Sequence, residues 1–142
     1  MSTTTASIVK GTIEGKFDRI TVKAGEALVA GDVVYVSTAG EPPTVSKITA
    51  ATDIPYGAMY EDVALGKTGV CIRANAIVEV VAGGVIAQGA FVTGGAGTAG
   101  RVITAAQASA IIHYVLGQAL LAATGDGDKI NVALAIGILG GT

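Results

Sequence analysis

The chain has 142 residues, a formal net charge of −2, 21 glycines, one cysteine and no tryptophan, and only 14% of its side chains are charged. That length suits one domain able to bury a core, and an apolar half excludes a disordered chain. Without a basic stripe, direct nucleic-acid binding is not expected, and a single cysteine precludes an internal disulfide and fits assembly in a cytoplasm.

Residues 1–16 read as an extended amino-terminal arm. Its first part, with Thr3, Thr4 and Thr5, is a Ser/Thr run without apolar periodicity, and it lacks the cationic start and apolar core of a secretion signal. The stretch Ile8-Val-Lys-Gly-Thr-Ile-Glu-Gly15, carrying Ile8, Val9 and Ile13, can form a strand only if another edge pairs with it.

A strand is predicted from Phe17 to Lys23, then a turn at Ala24-Gly25, a large apolar residue at Leu28, a turn at Gly31, and a strand from Asp32 to Val36. The prolines of Ala39-Gly-Glu-Pro-Pro43 make a turn, and Thr44-Val-Ser-Lys-Ile48 alternates as a one-sided strand does. A second unit runs from Pro55-Tyr-Gly-Ala-Met-Tyr60 through a hinge at Ala64–Gly69 to a strand at Val70–Arg73.

Both units recur. Val22 falls on Val80, Gly25 on Gly83, Leu28 on Ile86, Gly31 on Gly89 and Val34 on Val92, all 58 positions on. At an offset of 60, Gly57 falls on Gly117, Val70 on Ile130 and Ile72 on Val132. Gly25, Gly31, Gly83 and Gly89 are read as structural turns, since glycine adopts positive φ without a steric penalty. The expected fold is mainly β, a single domain over residues 17–142. It holds one repeat at about 17–75, a second at about 76–136, and an apolar tail at 137–142. Gly94–Gly100 reads as a loop, and Thr104–Ala110 is the one segment with a helical composition.

The catalytic inventory is thin. His113 is the only histidine and Cys71 the only thiol, and their spacing suggests no metal site. A Cys71/His113 nucleophile pair is weighed against a core thiol and a partly exposed imidazole, and the second reading is favoured. Glu61 and Asp62 would point to opposite faces of a strand, which suits solvation better than paired acid–base work. Gly125-Asp-Gly-Asp128 lacks the further acidic ligands of a calcium loop and reads as a turn. No cofactor is expected. The window Ala108–Thr124 is short for a membrane span and contains His113, Gln118 and Gly117. The apolar tail, with Ile136, Ile138 and Leu139, is expected to be covered by a neighbouring subunit or domain.

Taken in order, Val29-Ala-Gly-Asp-Val-Val34, Tyr56-Gly-Ala-Met59, Leu65-Gly-Lys-Thr-Gly-Val-Cys-Ile72, Val81–Val92, Leu116-Gly-Gln-Ala-Leu120 and Asp128-Lys-Ile-Asn-Val132 resemble small bacteriophage capsid cement, or head decoration, proteins. The resemblance covers about residues 17–136 and departs from the family in the long arm. It implies a compact β-barrel-like or β-clip-like fold and a non-enzymatic homotrimer on the outer surface of an expanded head, with the major capsid protein as partner. It also implies termini laced onto the coat or onto neighbouring trimers. Thr3, Thr4, Thr5, Ile8, Val9, Ile13, Ile136, Ile138 and Leu139 are then candidate capsid or inter-subunit contacts. The rival readings are another structural virion protein, a carrier module with Lys67 or Lys129 at its turns, and an enzyme using Cys71 and His113.

Overall fold

The computed structural model of the chain describes residues 18–50, 53–94, 99–105 and 112–140. Within these, β-branched and small apolar residues form nine strands, and there is no helix. They are β1 (Asp18–Ala24), β2 (Val33–Thr38), β3 (Thr44–Lys47), β4 (Gly57–Met59), β5 (Thr68–Val81), β6 (Phe91–Gly94), β7 (Val102–Thr104), β8 (Ile112–Ala119) and β9 (Lys129–Gly140).

The order β1-β3-β2-β4-β5 closes on itself because β1 also pairs with β5, from Asp18↔Ala74 to Lys23↔Thr68, so these five strands form a barrel. From β5 the sheet continues through β9, β8, β6 and β7. A parallel bridge between Ala82 and Val102 then leads from the end of β5 back to β7. The strand β5, 14 residues long, therefore belongs to both rings. Its first half pairs with β1 and β4, and its second half with β9. The strand expected at Val70–Arg73 and the opening strand of the second copy, around Val80, are this one continuous strand, because residues between them, Ala74 and Ile77, also pair in the sheet.

The same backbone bonds occur in each ring. Leu28 and Val63 exchange N–H···O bonds of 2.9 Å, and Ile86 and Ala123 do the same at 3.0 and 2.8 Å. Gly31 N–H donates to Met59 O and Gly89 N–H to Ala119 O, both at 2.8 Å; Gly25 donates to Val45 O and Gly83 to Val102 O. In the last strand the correspondence differs from the one expected. Tyr60 N–H donates to Val70 O, whereas Leu120 N–H donates to Asn131 O, so Asn131 rather than Ile130 occupies the place of Val70. The extra residue is Thr124, just ahead of the turn where Asp128 N–H donates to Gly125 O, as Lys67 N–H does to Ala64 O. A shift of one residue exchanges the faces of a strand, so Val132 takes the interior place of Cys71, not the place of Ile72.

The first barrel is filled by Val22, Ala24, Leu28, Val34, Val45, Met59, Val63 and Cys71. Their counterparts Val80, Ala82, Ile86, Val92, Val102, Ala119, Ala123 and Val132 lie in a second cluster. That cluster also takes in Val33, Ile48, Ala58 and Ile72 from the first ring, so the two rings share apolar contacts. Val33 N–H donates to Gly100 O and Gly100 N–H to Ile48 O, at 3.1 and 2.9 Å, which ties the two rings together. Complete burial of side chains such as Leu28, Ile48 and Ile86 contributes about 1.5–3 kcal/mol each.

Gly31 and Gly89 have φ of 93° and 87°, the left-handed region that favours glycine. Gly25 and Gly83 also lie at bends but do not have positive φ. At Gly25 the constraint is space, because a Cβ would stand 2.8 Å from Ser46 Oγ.

The tail begins later than expected. Gly137–Gly140 continue β9, with Ile138 opposite Tyr114 and Leu139 opposite His113, so their backbone is covered by the chain's own β8. Thr104 ends β7 rather than starting a helix, and the rest of that helical segment, from 106 onward, lies outside the described residues. The arm contacts Thr3, Thr4, Thr5, Ile8, Val9 and Ile13 lie outside them too.

Candidate interaction surface

The two rings have matching loops but different chemistry on them. In the first, Asp53 accepts from Thr49 and Ala50 N–H, and four carboxylates in the loops that match the second ring also hold backbone amides. Glu26 accepts from Lys47 N–H at 2.9 Å, Asp32 from Val29 N–H at 2.9 Å, Glu61 from Val70 N–H at 3.0 Å and Asp62 from Ala30 N–H at 2.9 Å. Glu61 and Asp62 thus each accept from a backbone amide at the solvent-exposed surface. Burial raises the pKa of Asp32, against the lowering effect of its bond from Val29 N–H and of nearby Lys47.

The second ring has Gly84, Ala90, Leu121 and Ala122 at the positions of those four acids, and no charged residue from Ala82 to Gly100 or from Val115 to Gly125. Its loops expose Val85 at 74% and Leu121 at 48%, with Phe91 at the start of β6 also exposed; the first ring's loops expose Val29 and Leu65, but beside the four acids. The Ile86–Ala123 bridge and the bond from Gln118 Nε2 to Gly89 O, 2.9 Å, hold the two loops side by side. An uncharged surface with large apolar residues can be covered by protein without desolvating ions. The sequence reading missed Val85, Leu120 and Leu121, although the charge-free runs were there to be seen.

Cys71 is fully buried in the first barrel, and burial pushes its thiol pKa up to about 12, which leaves it protonated and a poor nucleophile. Its strand neighbours are Ile20 and Met59, while His113 lies on β8 opposite Leu139. Among the described residues no group of three or more His, Cys, Asp or Glu is placed to hold a metal ion. In the turn read as a tight reversal, Asp128 accepts from Thr124 N–H and Oγ1–H at 2.8 Å each, bonds that lower its pKa. Asp126 pairs with Arg101 at 2.7 Å. Both acids are therefore engaged by protein groups. No helix among the described residues is long and apolar enough to cross a membrane.

Of the tail contacts, Ile136 is half-buried against the second core, and Ile138 and Leu139 are placed by their backbone pairing on β9. The structure does not bring these residues to the exposed loops of the second ring.

The fold is similar to that of a phage head-fibre base. The match is to the head fiber gp8.5 N base of bacteriophage phi29, with a TM-score of 0.63 over 84% of this chain and 95% of that one, at 21% identity. No family model and no curated protein matches the chain. The likeness is therefore one of fold, and it agrees with the β-barrel-like architecture that the sequence resemblance implied.

Proposed function

We propose that this chain is a structural component of a phage head. It sits on the outer surface of the capsid as a homotrimer, with the major capsid protein as its partner, and steadies the expanded shell against the pressure of packaged DNA. The observation that carries the reading is the charge-free, apolar loop surface of the second ring, on a fold that a head-fibre base also has. Such a surface needs a protein to cover it. Three copies joined together would have to leave the shell at once, so individually weak contacts add through effective concentration. The role needs no cofactor and no catalytic group.

The test is light scattering of the purified protein, followed by co-sedimentation with expanded empty heads. The expected result is a trimer that binds heads, and a Val85→Asp/Leu121→Asp variant that keeps the native circular dichroism spectrum and loses binding. Unchanged binding by that variant would remove the loop surface from the reading. A monomer indifferent to heads would remove the reading itself.

A further inference from the structure

Three backbone amides that carboxylates hold in the first ring have counterparts in the second. Asp32 accepts from Val29 N–H, Asp62 from Ala30 N–H and Glu61 from Val70 N–H. The counterpart donors are the amides of Ala87, Gln88 and Asn131, because Ile86, Gly89 and Leu120 make the same backbone bonds as Leu28, Gly31 and Tyr60. The turn is the same too, since Ala90 N–H donates to Ala87 O as Asp32 N–H does to Val29 O. With Ala90, Ala122 and Leu121 in place of the acids, these three N–H groups have no acceptor among the described residues.

Ala87 and Gln88 are exposed and Asn131 is half-buried, so water can serve the donors while the surface is open. Val85 and Leu121, in the same loops, are exposed as well, and a protein that covers those apolar side chains removes the water. A backbone N–H buried without an acceptor costs about as much as a lost hydrogen bond. The loops themselves offer no carboxylate, since no charged residue lies between Ala82 and Gly100 or between Val115 and Gly125. Asp126 and Asp128, in the next turn, are engaged by Arg101 and Thr124. The acceptors must come from whatever covers the surface. The first ring shows the chemistry that suits them, a carboxylate at 2.9 to 3.0 Å from each N–H, a bond stronger than one between neutral groups.

We infer that the major capsid protein meets this surface with an acidic segment. Its Asp or Glu side chains accept from the amides of Ala87, Gln88 and Asn131, as Asp32, Asp62 and Glu61 accept from the counterparts in the first ring. The inference rests on the proposed seat of these loops on the head and adds to it the chemistry of the partner: apolar side chains to cover Val85 and Leu121, with carboxylates between them. Ala122 is the position that tests it. It is exposed, and it stands where the first ring has Asp62, the acid that serves the counterpart of Gln88.

The test places opposite charges at that position in the full-length chain. Ala122→Asp and Ala122→Lys are compared with the parent for co-sedimentation with expanded empty heads, once circular dichroism has shown the native fold in each. In the free protein, Ala122→Asp should slow amide exchange at Gln88 roughly fivefold by supplying the missing acceptor. On heads it should weaken binding by about tenfold or more, because the new carboxylate occupies the donor and repels the partner's. Ala122→Lys should bind at least as tightly as the parent. Carbodiimide, which joins a lysine amine to a carboxylate in contact with it and releases water, should then couple position 122 of the Ala122→Lys protein to an Asp or Glu of the capsid protein. Equal weakening by both charges, or no coupling, overturns the inference and leaves a purely apolar seat. Coupling only to another copy of this chain overturns it in favour of a second copy as the source of the carboxylates. Unchanged Gln88 exchange overturns it as well, by removing the equivalence of the two sets of donors. A parent that ignores heads removes the head-binding reading, and this inference with it.

Discussion

Gly57→Ala is the sharpest test of the packing between strands. At Gly57 an added Cβ would collide with the Ile72 carbonyl oxygen and stand 2.7 Å from Cys71 Sγ. Gly117, its counterpart, faces the Ala133 carbonyl oxygen in the same way, with Leu134 Cα at 3.0 Å. Neither glycine has positive φ, so the penalty is purely steric. The obstacle is the backbone of a paired strand, which cannot rotate away as a side chain can. Overpacking typically costs about 1–3 kcal/mol, and a backbone obstacle puts these sites at the upper end, near 3 kcal/mol. For a chain of this size that corresponds to a fall in Tm of roughly 6–12 °C. Urea unfolding followed by far-ultraviolet circular dichroism measures it. Gly84→Ala and Gly125→Ala are the controls, since nothing lies within 4 Å of either Cβ and neither has positive φ. They should be neutral or more stable by up to about 1 kcal/mol. A Gly57→Ala protein within about 0.5 kcal/mol of the parent, outside the spread expected for overpacking, would refute the close strand approach.

Leu28→Ala and Ile86→Ala each empty the centre of a ring, and each should cost about 2–5 kcal/mol in the same urea assay. Cys71 should resist a thiol reagent at neutral pH in the native protein and react fully once urea unfolds it; rapid native labelling would contradict its burial. The two perturbed acids act in opposite directions. The pKa of Asp32 is raised in the fold, so its ionisation opposes folding and stability recovers as pH falls through that value; Asp32→Asn should equal or exceed the parent at pH 7. The pKa of Asp128 is lowered, so its contribution is present above the ordinary carboxylate range and lost as acid protonates it. Asp128→Asn should be less stable at neutral pH and converge with the parent in acid, read as urea midpoints between about pH 2 and 6. Thr93 Oγ1 is buried with no partner among the described residues, so Thr93→Val should be neutral or stabilising by about 1 kcal/mol, measured by Tm.

The sequence alone carried the class of fold. Val22, Leu28 and Val34 and their partners 58 positions on announce a β unit used twice, because glycine turns and β-branched strands are local signals. It also carried the burial of Cys71 and the turn at Gly125–Asp128. Only the tertiary structure decided how the two units join. The fusion of two expected strands into β5 depends on partners supplied by β1, β4 and β9, which are distant in sequence. The one-residue shift at Thr124 is invisible to periodicity, since Ile130 and Val132 alternate equally well in either register, and the choice is made by which face the interior accepts. The same holds for the surface. The sequence lists the acids of one ring and the apolar loops of the other, but the bridges Leu28–Val63 and Ile86–Ala123 place each set at the corresponding loops of its ring.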